Sequence, residues 1–171
     1  MARLALTWAG AMRVLAILAT AGLVAGAVSF RLAQRKTALE RLPEALGVEA
    51  ILAQGTGTLL DCDSVIFRLD AAMRETLRRD GMQALAEAGR PRGVTSWQYG
   101  PWQATPVDSE ARESWSVSGY VWPALGCGLP PDWREVSRAA ATRPGSFYAF
   151  GRRILLLVDP ARGLAIYVHR G

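Results

Sequence analysis

Residues 154–169 read ILLLVDPARGLAIYVH, and their reading decides the fold. Ile154, Leu155, Leu156, Leu157 and Val158 form an uninterrupted apolar run, the pattern of a strand covered on both faces. Leu164, Ile166 and Val168 then alternate with Ala165, Tyr167 and His169, which puts the two sets on opposite faces of a second strand, read here as an edge or half-exposed one. The residues between them, Asp159-Pro160-Ala161-Arg162-Gly163, suit a turn, because proline presets φ early in it and glycine supplies a positive φ where it closes. An antiparallel hairpin follows, and residues 146–150 ahead of it extend the hairpin to a meander.

Working outward, residues 64–69, SVIFRL, carry the β-branched and aromatic content of a further strand. Asp70 is placed to cap a helix over residues 71–79, which Asp80-Gly81 stops or bends before residues 82–88 resume it. Residues 48–54 are a short apolar piece, and Gly55-Thr56-Gly57 reads as loop punctuation before residues 58–62. Residues 89–93, GRPRG, form a loop. Residues 97–122 are expected as strands, with Trp115, Val117, Gly119 and Val121 on one face. A glycine- and proline-rich loop holding Cys127 leads to a helix over residues 133–142, capped by Asp132 and closed by Arg143-Pro144-Gly145. The expected fold is α+β: a mostly antiparallel sheet with helices on one face, behind one amino-terminal transmembrane helix.

That transmembrane expectation rests on residues 14–30, VLAILATAGLVAGAVSF, which hold no charge and are bracketed by Arg13 and Arg31. Seventeen helical residues rise about 25 Å, short but sufficient for a hydrocarbon core of roughly 30 Å. The alternative is a cleaved signal peptide with Ala25-Gly26-Ala27 as its site, against which the basic residues just beyond it argue. Residues 1–30 are thus read as a membrane anchor or uncleaved signal. Residues 31–46, with Leu32, Leu39, Leu42 and Leu46 between charges, are an amphipathic juxtamembrane helix that Pro43 kinks or ends. Residues 47–171 are the α+β domain.

The net charge is +5, but from Gly47 onward fourteen arginines face thirteen Asp and Glu, so the excess sits beside the apolar run. This disfavours nucleic acid as a partner and fits contact of Arg31, Arg35, Lys36 and Arg41 with anionic membrane lipid. A positive-inside count would hold the carboxyl-terminal part in the cytoplasm. The two cysteines argue the other way: Cys62 and Cys127 invite a disulfide in an exported domain, closing about 65 residues and contributing about 4 kcal/mol. With the arginine-rich composition of a GC-rich genome, these features place the chain in a bacterial inner membrane with its domain in the periplasm.

Chemistry is sparse. Thiol catalysis lacks a base, since His169 is the single histidine, and Asp61 and Asp63 would raise the pKa of Cys62 rather than activate it. Two Cys and one His at these spacings match no zinc pattern, and no cofactor motif is present. Asp61 and Asp63 could act as an acid/base pair, the third-ranked reading. Trp97, Tyr99, Trp102, Trp115, Tyr120 and Trp122 concentrate six of the ten Trp and Tyr of the chain, and such rings either fill a sheet core or form a binding surface for a glycan or protein. Arg90, Arg92, Arg152 and Arg153 would make an anion-facing patch if their loops converge. The sequence points to a membrane-anchored, non-enzymatic interaction or accessory module with a protein partner, and in second place to a peptidoglycan-binding protein using the Trp-rich strands.

Overall fold

A computed structural model describes residues 2–57, 62–93, 96–107 and 125–170. The chain divides into two compact units, Met1–Leu39 and Glu40–Gly171.

The first unit is helical. Helix α1, Ala2–Arg41, runs unbroken through the apolar residues. Its segment Met12–Arg41 is long and apolar enough to cross a membrane, and holds an 18-residue window of mean hydropathy 1.9. Leu15, Ile17, Leu18, Leu23 and Val24 all project outward. The Thr20 hydroxyl donates to the Ala16 carbonyl at 2.8 Å, so the polar group is satisfied within the helix. The helix stops at Arg41 because a residue preceding proline avoids the helical region, and Leu42 precedes Pro43.

The second unit is α+β, with a six-stranded antiparallel sheet in the order β1-β2-β6-β5-β4-β3. The strands are β1 Val48–Gly57, β2 Cys62–Leu69, β3 Gln103–Ala104, β4 Phe147–Gly151, β5 Ile154–Asp159 and β6 Leu164–Arg170. The hairpin stands as expected: Gly163 closes its turn at φ 65°, and Asp159 accepts from the Arg162 amide at 3.1 Å and from its guanidinium at 2.7 Å. One correction concerns β6. It is no edge strand but lies between β2 and β5, with Leu156 opposite Tyr167 on one side and Val65 opposite Tyr167 on the other. Ala165 and Tyr167 are as buried as Ile166, because both faces of the sheet are covered.

One face packs on α3, Pro131–Thr142. Leu155, Leu157, Ile166, Val168, Tyr148 and Phe150 meet Ala140, Ala141, Leu125 and Leu129 there. The buried Met73 and Leu77 of α2, Ala71–Asp80, are not part of this layer, so the expectation that the helices share one face is not met here. On the opposite face Val65, Phe67, Leu156 and Val158 are also buried, and Tyr167 is hydrogen-bonded to Arg41, whose carbonyl accepts from Tyr99. Helix α3 starts one residue earlier than its proposed cap: Pro131 takes the first helical position, where a missing N–H costs nothing, and Asp132 sits inside the first turn. Asp70 does cap α2, Ala71–Asp80, accepting from the Met73 amide at 2.7 Å. Beyond Gly81 the chain tightens to a 3-10 helix over Gly81–Leu85 rather than a resumed α-helix.

Gly55-Thr56-Gly57 also needs correcting, since these residues are strand, the end of β1. The loop carrying Cys127 crosses the sheet directly on them. A side-chain carbon on Gly55 would strike the backbone of Cys127 and Gly128, and one on Gly57 would strike both cysteine sulfurs. The glycines are demanded by this close approach, not by a turn. Of the expected 97–122 strands, the described part contains only Gln103–Ala104; residues 108–124 lie outside the described residues.

Candidate functional site

Strand register brings the chemically capable side chains to one end of the sheet, on the face opposite α3. Thr56, Asp63, His169, Ile154 and Gly151 stand side by side across β1, β2, β6, β5 and β4. Period-two alternation then puts Tyr167 on the same face as His169, one step further along β6.

His169 Nδ1 lies 3.9 Å from Asp63 Oδ2, with the imidazole 18% and the carboxylate 45% exposed. The imidazole stacks on Tyr167 at a centroid separation of 6.5 Å and an interplanar angle of 14°. The Tyr167 hydroxyl accepts from Arg41 Nη1 at 2.9 Å across 126 residues of sequence, and the Tyr99 hydroxyl donates to the Arg41 carbonyl at 2.8 Å. Trp97 meets Tyr99 edge to face at 5.1 Å and 71°. Both rings cover Gly151, where any side chain would collide with Trp97. The outcome is a continuous row, from Asp63 through His169, Tyr167 and Tyr99 to Trp97.

Burial dominates the electrostatics of this row. It pushes the Tyr167 phenol up to about 12, with the Arg41 hydrogen bond pulling in the other direction and the Asp63 charge adding to the rise. Tyr99 is driven well above the ordinary tyrosine value, again by burial first and by the neighbouring Tyr167 second. Both phenols are therefore fixed hydrogen-bonding groups at neutral pH.

The sequence-derived candidates separate on this frame. Tyr99 is in the core, only 5% exposed. Trp97 and Trp102 are half-buried, and Trp102 donates its indole N–H to the Ala88 carbonyl at 3.1 Å. Trp115, Tyr120 and Trp122 lie outside the described residues, as does Asp61. Cys62 and Cys127 stand with their sulfurs at disulfide distance and their Cα atoms 6.2 Å apart. Arg41, grouped by sequence with headgroup-facing residues, instead directs its guanidinium at Tyr167. Arg92 likewise turns to the Leu46 carbonyl. Among the described residues no group of three or more His, Cys, Asp and Glu is placed to hold a metal ion.

Sequence reasoning missed the Arg41–Tyr167–Tyr99 connection and the meeting of Asp63 with His169. The available signal was the alternation itself, which already put the polar Tyr167 and His169 together on one face. The Asp63–His169 pair could orient an imidazole, but its neighbours are committed elsewhere. Cys62 stands at disulfide distance from Cys127, Ser64 alternates to the α3 face, and the Tyr167 hydroxyl is held by Arg41. At this end of the sheet a half-buried indole, a carboxylate and an imidazole lie along one row. No protein-family model, no curated protein and no solved structure matches the chain.

Proposed function

We propose that the chain is a single-pass protein of a bacterial inner membrane, anchored by α1, whose α+β unit stands in the periplasm and works as a non-enzymatic interaction module. The observation that carries this reading is the juxtaposition of Cys62 and Cys127, since bridges persist in oxidising compartments and a small domain gains from one. The apolar helix supports membrane attachment. Commitment of the groups around Asp63 and His169 to internal contacts favours binding over turnover. Alkaline phosphatase fused after Gly171 should be active, a cytoplasmic fluorescent reporter at the same site dark, and labelling of the unreduced chain should find no free thiol. An inactive phosphatase together with two labelled thiols would overturn the placement.

Glycan binding is the second reading, and Trp97 favours it. Its half-buried ring stands at the Gly151 end of the row that carries His169 and Asp63 further across the sheet, an aromatic ring of the kind that packs on a sugar face. Sedimentation with insoluble peptidoglycan should then carry the chain down and lose it in Trp97→Ala; no sedimentation of the unaltered chain ends this reading.

A further inference from the structure

Helix α3 presents to solvent a face that the row at the sheet end does not use. Arg134, Glu135, Arg138, Ala139, Thr142 and Arg143 line a concavity of about 450 Å³. Helix α2 gives the contrast, for there Arg78 pairs with Glu75 and Arg79 with Asp80, both at 2.7 Å. Among the described residues, no carboxylate pairs with Arg134, Arg138 or Arg143. Arg134 lies near the positive end of the helix dipole, and Arg134 and Arg138 are like charges one turn apart, both of which weaken a helix. The Arg134 stem also rests against Gly126, at φ 78°, where any side chain would clash with it, so the base of that side chain is held in place.

The geometry points to a docking groove for an extended acidic peptide, a segment of a protein partner with carboxylates at alternate positions. This rests on the interaction-module reading and names the chemistry of the partner. Along the helix Arg134 and Arg138 are one turn apart, about 6 Å, while Arg143 closes the helix in extended backbone, at φ -106° and ψ 149°. Alternate side chains of an extended strand recur every 6.6 Å or so, close to the Arg134–Arg138 spacing. Each guanidinium fork can hold a carboxylate through two N–H groups. Glu135 and Ala139 also line the concavity, and the Glu135 carboxylate can accept a peptide N–H.

The test uses the full chain in neutral detergent and a fluorescein-labelled peptide of alternating Glu and Ser, read by anisotropy at low salt. The alternating peptide should bind more tightly than one of the same composition with its Glu in a single block, and binding should weaken with salt. Arg134→Glu and Arg138→Glu should each weaken it by about tenfold or more, and Arg78→Glu on α2 should leave it unchanged. If either reversal lowers the thermal midpoint, Arg138→Gln reads the same loss without a reversed charge. No binding of the alternating peptide, equal binding of the block peptide, or equal loss in Arg78→Glu would overturn the groove. So would capture of the chain by anionic phospholipid vesicles that Arg138→Glu abolishes while peptide binding survives. Peptide binding by the purified chain is read without reference to compartment, so this proposal and the periplasmic placement fail separately.

Discussion

The two faces of the central sheet are closed by different chemistry. On the α3 face, Leu155, Leu157, Ile166 and Val168 meet small helix residues, Ala140 and Ala141, and the Cys127 loop lies directly on Gly55 and Gly57. On the other face Tyr167 and Tyr99 bind the side chain and backbone of Arg41, with His169 and Asp63 at the margin. Apolar packing serves both faces, for Phe67, Leu156 and Val158 are fully buried on the second, but that face also rests on the Tyr167–Arg41–Tyr99 hydrogen bonds. The lesson is that one strand, β6, serves both, so its alternate residues answer to different forces.

That comparison can be broken most severely by removing what the faces share. Truncation after Gly163 deletes β6, leaving β2 and β5 without their common neighbour and exposing the backbone groups of two buried strands. The remaining chain should lose cooperative thermal unfolding by circular dichroism; an unchanged midpoint would refute the sheet order. On the α3 face alone, Cys62→Ala combined with Cys127→Ala should lower stability by about 2–5 kcal/mol in urea unfolding, with little dependence on pH.

On the opposite face, Tyr167→Phe should cost about 1.5–3 kcal/mol, because the Arg41 guanidinium loses its acceptor. This face should also be the alkali-sensitive one. The unfolded Tyr167 phenol ionises near its ordinary value of 10 and the folded one at about 12, so between those limits the unfolded state releases a proton that the folded state keeps. Stability is level with respect to this group below pH 10 and falls as pH rises towards 12, with Tyr99 acting in the same direction. Following tyrosinate absorbance and unfolding together checks this, and ionisation of all four tyrosines near pH 10 in the folded chain would contradict it. The smallest effect is reserved for His169→Ala. Asp63 is 45% exposed and 3.9 Å away, so the loss should stay within about 1 kcal/mol, and a larger drop in thermal midpoint would mean that the imidazole carries more of this face than its stacking on Tyr167 suggests.

Much of the backbone was legible in advance. The apolar run 154–158, the alternation after Gly163 and the Asp70 cap each express a local periodicity or hydrogen bond, and each element stands near its expected bounds. The misreadings share a cause. Gly55 and Gly57 look like turn residues because local sequence says only that glycine is tolerated; the Cys127 loop, far along the chain, is what requires it. The 3-10 helix at Gly81–Leu85 likewise shows an apolar pattern without the α-helical hydrogen bonding that pattern suggested.

The sequence by itself determined the long apolar helix, the hairpin, and the two faces of β6, because these follow from the order of polar and apolar residues within one segment. Tertiary structure alone decided that β6 is central, that Asp63 faces His169, that Arg41 reaches Tyr167, and that Arg134, Arg138 and Arg143 line one concavity with no carboxylate paired to them among the described residues. The physical reason is range: periodicity is set by a residue's own chain neighbours, whereas pairing across strands and convergence in a groove depend on which distant segments the folded core brings within a few ångströms.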